Sequence, residues 1–312
     1  MTLRPSVASA AAFACLTAAA APAAASGLCA AWSAPQRIGL LDTSQVSEAS
    51  GMEWTPAHPD RLYHVNDSGD LGNLYVTTSE GTDAHAMRIS GLLAFDTEDL
   101  SAGPCGESRC LFIADIGDNV GFRPYVRIAV VEEPAALTDS VPLHASVTAT
   151  YPDGAHNAEA AAVHPRTGDL FVLTKGEDGQ SRLYRLDARQ IAAGGDQEFA
   201  LMGTLDLEAV MTGGSWRRLL ATGMDIAPDG SRFVVLTYAG AAEFALDLAA
   251  PDAASRLADQ TQWRRGADFQ QIATLRMPQA EAVAYGPDGA AILYETEASR
   301  GEAALARQTC LD

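Results

Sequence analysis

Lysine is almost missing from this chain: among 312 residues and 21 basic side chains there is one, Lys175. Positive charge is scarce altogether, with 40 acidic residues setting a formal charge of -19. That balance argues against nucleic acid or an anionic membrane as partner and is compatible with divalent cations. The scarcity of lysine has a bland cause, a coding bias towards alanine and arginine; where the one survivor sits is a separate matter. No apolar run after residue 27 is long enough to span a bilayer. Helical periodicity is nearly absent, and DARQIAAG from Asp187 is the best candidate for a short helix. No G-x-S-x-G elbow, P-loop, Rossmann fingerprint or H-E-x-x-H occurs, so no serine nucleophile can be nominated.

Residues 1–27 read as a secretory leader, with Arg4 ahead of the apolar run AAAFACLTAAAA and small residues up to Ser26. Residues 28–312 are then expected to form a single domain, secreted or periplasmic, monomeric, with no membrane span. Four cysteines follow the leader: Cys29, Cys105, Cys110 and Cys310. An even count in an exported chain favours two disulfides. Cys105 and Cys110 would staple a hairpin loop, leaving Cys29 to join Cys310. A zinc site is the alternative, weakened by the lack of a histidine near that pair in sequence.

A short pattern recurs five times, opening on acidic or hydroxyl residues and closing on proline. Its copies are SGMEWTP (Ser50 to Pro56), EDLSAGP (Glu98 to Pro104), EAAAVHP (Glu159 to Pro165), TGMDIAP (Thr222 to Pro228) and EAVAYGP (Glu281 to Pro287). After each proline come two β-type runs and a fourth before the next copy, with turns such as PDG between them. Repeats of this length predict an all-β array: a β-propeller of five four-stranded blades. Six blades stay open if residues 187–220 or 247–271 hide a degenerate unit. The chain begins with RIGLL from Arg37, a fourth strand lacking its first three, and ends on a third strand from Ala304. Joining the two completes the last blade and closes the ring, which removes exposed sheet edges.

Strand direction alternates, so first-strand starts and second-strand ends share one face of the ring. Glu98, Glu159 and Glu281 therefore converge with Asp67, Asp115, Lys175 and Glu295 at one tunnel mouth. Oxygen ligands of this kind suit a hard cation, Ca²⁺ before Mg²⁺, and the expected ligands are Glu98, Asp115, Glu159, Glu281 and Asp67. The bland reading is that the glutamates bond backbone amides and that NDSGD and DIGDN are turn formers. Lys175 either neutralises Glu159 or holds an anionic group of a substrate. With His156 three residues ahead, Glu159, Lys175 and His156 are the candidate catalytic set for a small anionic or carbohydrate-like ligand. Trp54, Trp216 and Trp263 read as blade packing by default, with a sugar-stacking surface as the alternative.

The ordered segments HVNDSGD, FDTEDL, CLFIADIGDN, YPDGAHNAEA, DLFVLTK, TGMDIAPDG and QAEAVAY resemble those of a widespread group of exported bacterial β-propellers, from about Ser47 to Glu297. Thr97 and Leu236 depart from that group's tryptophan and arginine, and the second change takes a cation from the mouth. More distantly the layout is similar to calcium-dependent propeller hydrolases such as gluconolactonases, paraoxonase-like enzymes and propeller phytases. That resemblance implies a pore-bound Ca²⁺ and hydrolysis of an ester, lactone or phosphoester. A non-catalytic binding or scaffold propeller with a structural ion is the other reading.

Overall fold

Seven strands are buried at every position, among them LFVLT (Leu170–Thr174) and FVVLT (Phe233–Thr237). A strand packed on both faces reads this way, as a continuous apolar run. The computed structural model describes residues 27–67, 69–176, 180–212, 215–275, 279–298 and 302–311. The expected leader, apart from residue 27, thus lies outside the described residues.

The chain forms five antiparallel four-stranded sheets, three of which carry one further short strand. The innermost strands are Ala49–Glu53, Thr97–Cys105, Ala158–Val163, Ala221–Ile226 and Ala280–Tyr285, one from each copy of the repeat. Each touches the innermost strands of both neighbouring blades, so the five close a ring. Five apolar clusters fill the five blade–blade interfaces, one apiece. Period-two alternation serves both sides at once: Phe171 and Leu173 face the fourth blade while Leu170 and Val172 face the second.

Five interfaces and five sheets settle the blade count. The stretches that left a sixth blade open hold the helix Ala188–Ala193, capped by Asp187 in a capping box, and the helix Ala253–Ala258. The strand Gly195–Glu198 in the first of them adds in parallel to Ala145–Thr150 of the second blade. Gln36–Leu40 pairs with Ala304–Leu311 and completes the fifth blade, and the Cys29–Cys310 disulfide ties the two ends of the chain beside it. Cys105 and Cys110 are also joined, across the hairpin of the second blade. The fold does bring a histidine to that pair, His144, within 4.8 Å. The zinc alternative still gives way, since both sulfurs are used by the bond. Leu236 lies in the core between the fourth and fifth blades, so its departure from the motif takes nothing from the mouth. Trp54 stacks under Arg307 and Trp263 packs on Phe244, while the side chain of Trp216 lies outside the described residues.

Candidate metal centre at the tunnel mouth

Every innermost strand breaks register with its neighbour at one place. The skipped residues are Ser50, Glu98, Glu159, Thr222 and Glu281, the opening position of each repeat. A bulge frees one side chain from the pleat and re-aims it, here five times in one register around one mouth. Two of the five are hydroxyls spent on blade-to-blade ties: Ser50 donates to the Glu98 carbonyl at 2.9 Å and Thr222 to the Ala280 carbonyl at 2.7 Å. The three glutamates remain, and the mouth is lopsided.

On the side of the first two blades, carboxylate oxygens of Asp67, Asp96 and Glu98 lie within 4.8 Å of one another. Asp67 follows the second strand of the first blade, and Asp96 immediately precedes the innermost strand of the second. Burial, then Asp67, push the Asp96 carboxyl up to about 6. Burial, then Glu159, Asp67 and Asp96, hold Glu98 well above the usual carboxylate range. Three acids this close demand a proton or a cation. Gly117 packs its backbone against Glu98 and Asp96, and a Cβ there would fall inside van der Waals contact with both carboxylates.

Across the mouth the acids carry their own cation. The Lys175 ammonium is bonded to Glu159. Burial opposes its charge, but Glu159, Glu281 and Glu98 outweigh that and raise its pKa. Burial and Glu159 push Glu281 up to about 8, and the Tyr238 hydroxyl donates to its two oxygens at 3.3 and 3.4 Å.

The other expected residues stand elsewhere. Asp115 is behind the triad: it accepts the amides of Phe95 (3.2 Å) and Asp96 (3.0 Å) and pairs with Arg123 at 2.9 Å. It positions Asp96 from behind, its two oxygens occupied. His156 pairs with Asp153 at 3.0 Å, packs on Tyr151, and lines a separate cavity of about 390 Å³ with Asp118, Asn119 and Asn157. Glu295 is fully buried against His64 Nδ1 at 3.1 Å. Asp96, Gly117 and Tyr238 were not singled out from sequence. For Asp96 a signal existed, since it stands two residues before Glu98.

Below the mouth lies a second acidic level. Asp99 accepts the amides of Leu100 (2.8 Å), Ala161 (2.7 Å) and Met224 (3.3 Å). The last of these bridges the second blade to the fourth across the tunnel. Glu53 accepts the amides of Trp54 and Ala102, and Asp225 those of Ile226 and Tyr285. An innermost strand is a sheet edge whose outward N–H groups need acceptors, and these side chains supply them.

No protein-family model and no curated protein matches the chain. Among solved structures it is similar to hydrazine synthase of Kuenenia stuttgartiensis, at 13% identity and a TM-score of 0.40, over 80% of this chain and 56% of that one. It is also similar to the nidogen/laminin complex, at 10% identity and a TM-score of 0.42, over 80% of this chain and 73% of that one. The chain thus spans little more than half of the first, and neither likeness bears on what it does.

Proposed function

We propose that this chain is an exported propeller that binds one Ca²⁺ at Asp67, Asp96 and Glu98. The observation that carries this is the meeting of three carboxylates within 4.8 Å at the mouth. The donor set fits, being all oxygen, as a hard cation prefers, and Ca²⁺ tolerates irregular geometry better than Mg²⁺. The bulge at Glu98, the Asp115–Arg123 brace behind Asp96 and the close approach of Gly117 hold the donors in place before an ion arrives. Metal analysis of the purified protein, with terbium luminescence as readout, tests it. One ion per chain, lost in Glu98→Gln, is expected; an ion-free protein whose melting point ignores both Ca²⁺ and chelator would sink the reading.

A second reading, hydrolysis of an ester, lactone or phosphoester, is favoured by the opposite wall. Glu281, held near 8, keeps a proton at neutral pH that it can deliver to a leaving oxygen. Lys175 supplies a charge for an anionic substrate group while Glu159 holds it in place. A bound Ca²⁺ would polarise the scissile group. Turnover of a model lactone or aryl ester that chelator abolishes is the expected result. Ion binding without turnover of any ester, lactone or phosphoester leaves a scaffold propeller with a structural ion.

A further inference from the structure

Exposed apolar side chains are unevenly spread over this molecule. Ten large ones are exposed among the described residues, and six stand on mouth-side loops of the first two blades: Leu71, Leu93, Phe95, Val120, Phe122 and Tyr125. Single exposed apolar residues need no explanation, but a cluster at the rim of a tunnel does. Leu93, Phe95, Phe122 and Tyr125 line one cavity of about 410 Å³ together with Arg123, Arg127 and one acid, Asp115, whose charge Arg123 already answers. Small-molecule sites run from about 300 to 1,000 Å³ and combine apolar walls with a few placed polar groups.

The walls of this cavity are held in place. Asp118 accepts the amides of Phe122 at 3.0 Å and Arg123 at 2.8 Å, which pins the loop that presents Phe122. The Arg123 guanidinium lies 5.2 Å from the centre of the Phe95 ring, bonds the Gly117 carbonyl at 2.7 Å and pairs with Asp115. Phe95 is therefore fixed at its backbone by Asp115 and at its face by Arg123, yet the residue is 61% exposed. Arg123 is spent on this brace. Arg127 is not: one of its nitrogens donates to the Leu93 carbonyl at 2.7 Å, and among the described residues no carboxylate pairs with it. On a chain of charge -19, an arginine between aromatic walls and without an acidic partner is the complement of an aromatic anion.

We propose that this cavity binds an aromatic anion, its ring against Phe95, Phe122 and Tyr125 and its oxyanion on Arg127. The site stands beside the ion site and does not depend on it. The probe is 2-naphthoate, titrated calorimetrically into the full-length exported protein. Wild type binds one equivalent. Phe122→Ala and Arg127→Gln each weaken binding at least tenfold, and Leu201→Ala, an exposed leucine on the third blade, leaves it unchanged. Neutral 2-naphthalenemethanol binds at least tenfold more weakly than the carboxylate. Thermal melts verify that each variant is folded, with Tyr125→Ser replacing Phe122→Ala should that one fail. No binding to wild type, equal binding by Phe122→Ala, equal affinity for the alcohol, or the same loss in Leu201→Ala overturns the proposal. Glu98→Gln separates the two sites: terbium luminescence disappears while naphthoate binding persists, and loss of both would show that naphthoate binds through the ion.

Discussion

The five innermost strands carry two acidic levels a few residues apart, and the two are built for opposite ends. Burial comes first in raising the pKa at both: Glu53 is pushed up to about 7, Asp99 and Asp225 well above the usual range, just as Asp96 and Glu98 are. Proton affinity therefore does not tell a structural acid from a site. Hydrogen-bond donors do. Asp99 accepts three amides, Glu53 and Asp225 two each, while the carboxylates of Asp96 and Glu98 accept no backbone N–H among the described residues, Glu98 taking the Ser50 hydroxyl at 3.2 Å instead. An acid that completes a sheet edge belongs to the fold. An acid whose close neighbours are other acids needs a proton or a cation.

The sharpest way to break this comparison is Asp99→Ala. It strands three buried amides, at about 1–3 kcal/mol for each group left unpaired, so a loss of about 3 kcal/mol or more is expected in urea unfolding. Glu98→Gln should behave in the reverse sense. With no Ca²⁺ present it removes like-charge repulsion, so stability should hold or rise, while terbium binding drops at least tenfold. Equal destabilisation by the two variants would erase the distinction between the levels. Gly117→Ala comes next: overpacking against two carboxylates costs about 1–3 kcal/mol, and the displaced oxygens should weaken the ion as well, read by the same two assays.

Protons and calcium should oppose each other. A carboxyl whose pKa is raised on folding contributes stability that is full below its unfolded value and is lost as pH rises through the folded value. For Glu281 that window runs from its ordinary 4.5 to about 8, and for Asp96 from 3.8 to about 6. The ion-free protein should thus lose stability between pH 4 and 8. Calcium favours the charged triad, so the rise in melting temperature it causes should be larger at pH 8 than at pH 5. An ion effect that shrinks as pH rises would contradict the triad.

How much of this was legible in the sequence follows from where each residue's position is decided. The proline-closed repeats, the buried double-faced runs and the chain-end phasing are local signals, and they located the blades and the closing strand at Gln36–Leu40. The glutamate register was legible for the same reason. Its consequence was not, because strict alternation puts Glu98 and Asp99 on opposite faces of their strand. The bulge at Glu98 breaks that alternation and gives the two neighbours separate duties. Asp96 was missed because its place is set by Asp115, 19 residues on, which turns the loop and is itself held by Arg123. Asp115 in turn looked like a ligand because a strand end at the mouth does not reveal which neighbours have already taken its oxygens. His156 reads as a partner of Glu159 by spacing, but a ring that packs on Tyr151 follows the blade side instead.

The smallest expected effect probes the opposite wall of the mouth. Tyr238 donates one long hydrogen bond shared between the two oxygens of Glu281, and it pulls against burial by favouring the charged form. Tyr238→Phe removes that pull, so the Glu281 midpoint should move further up and the pH at which its contribution fades should move with it. The stability cost should be small, about 0.5 kcal/mol at neutral pH, since bonds beyond 3.2 Å are weak and Glu281 there is mostly protonated. A carbon-detected side-chain titration reads the shift, with Glu281→Gln identifying the resonance. A downward shift would mean that Tyr238 supports the neutral acid rather than the carboxylate. Glu281 would then owe its proton to a hydrogen bond, and the wall facing the triad would be set by its tyrosine rather than by the Glu159–Lys175 pair.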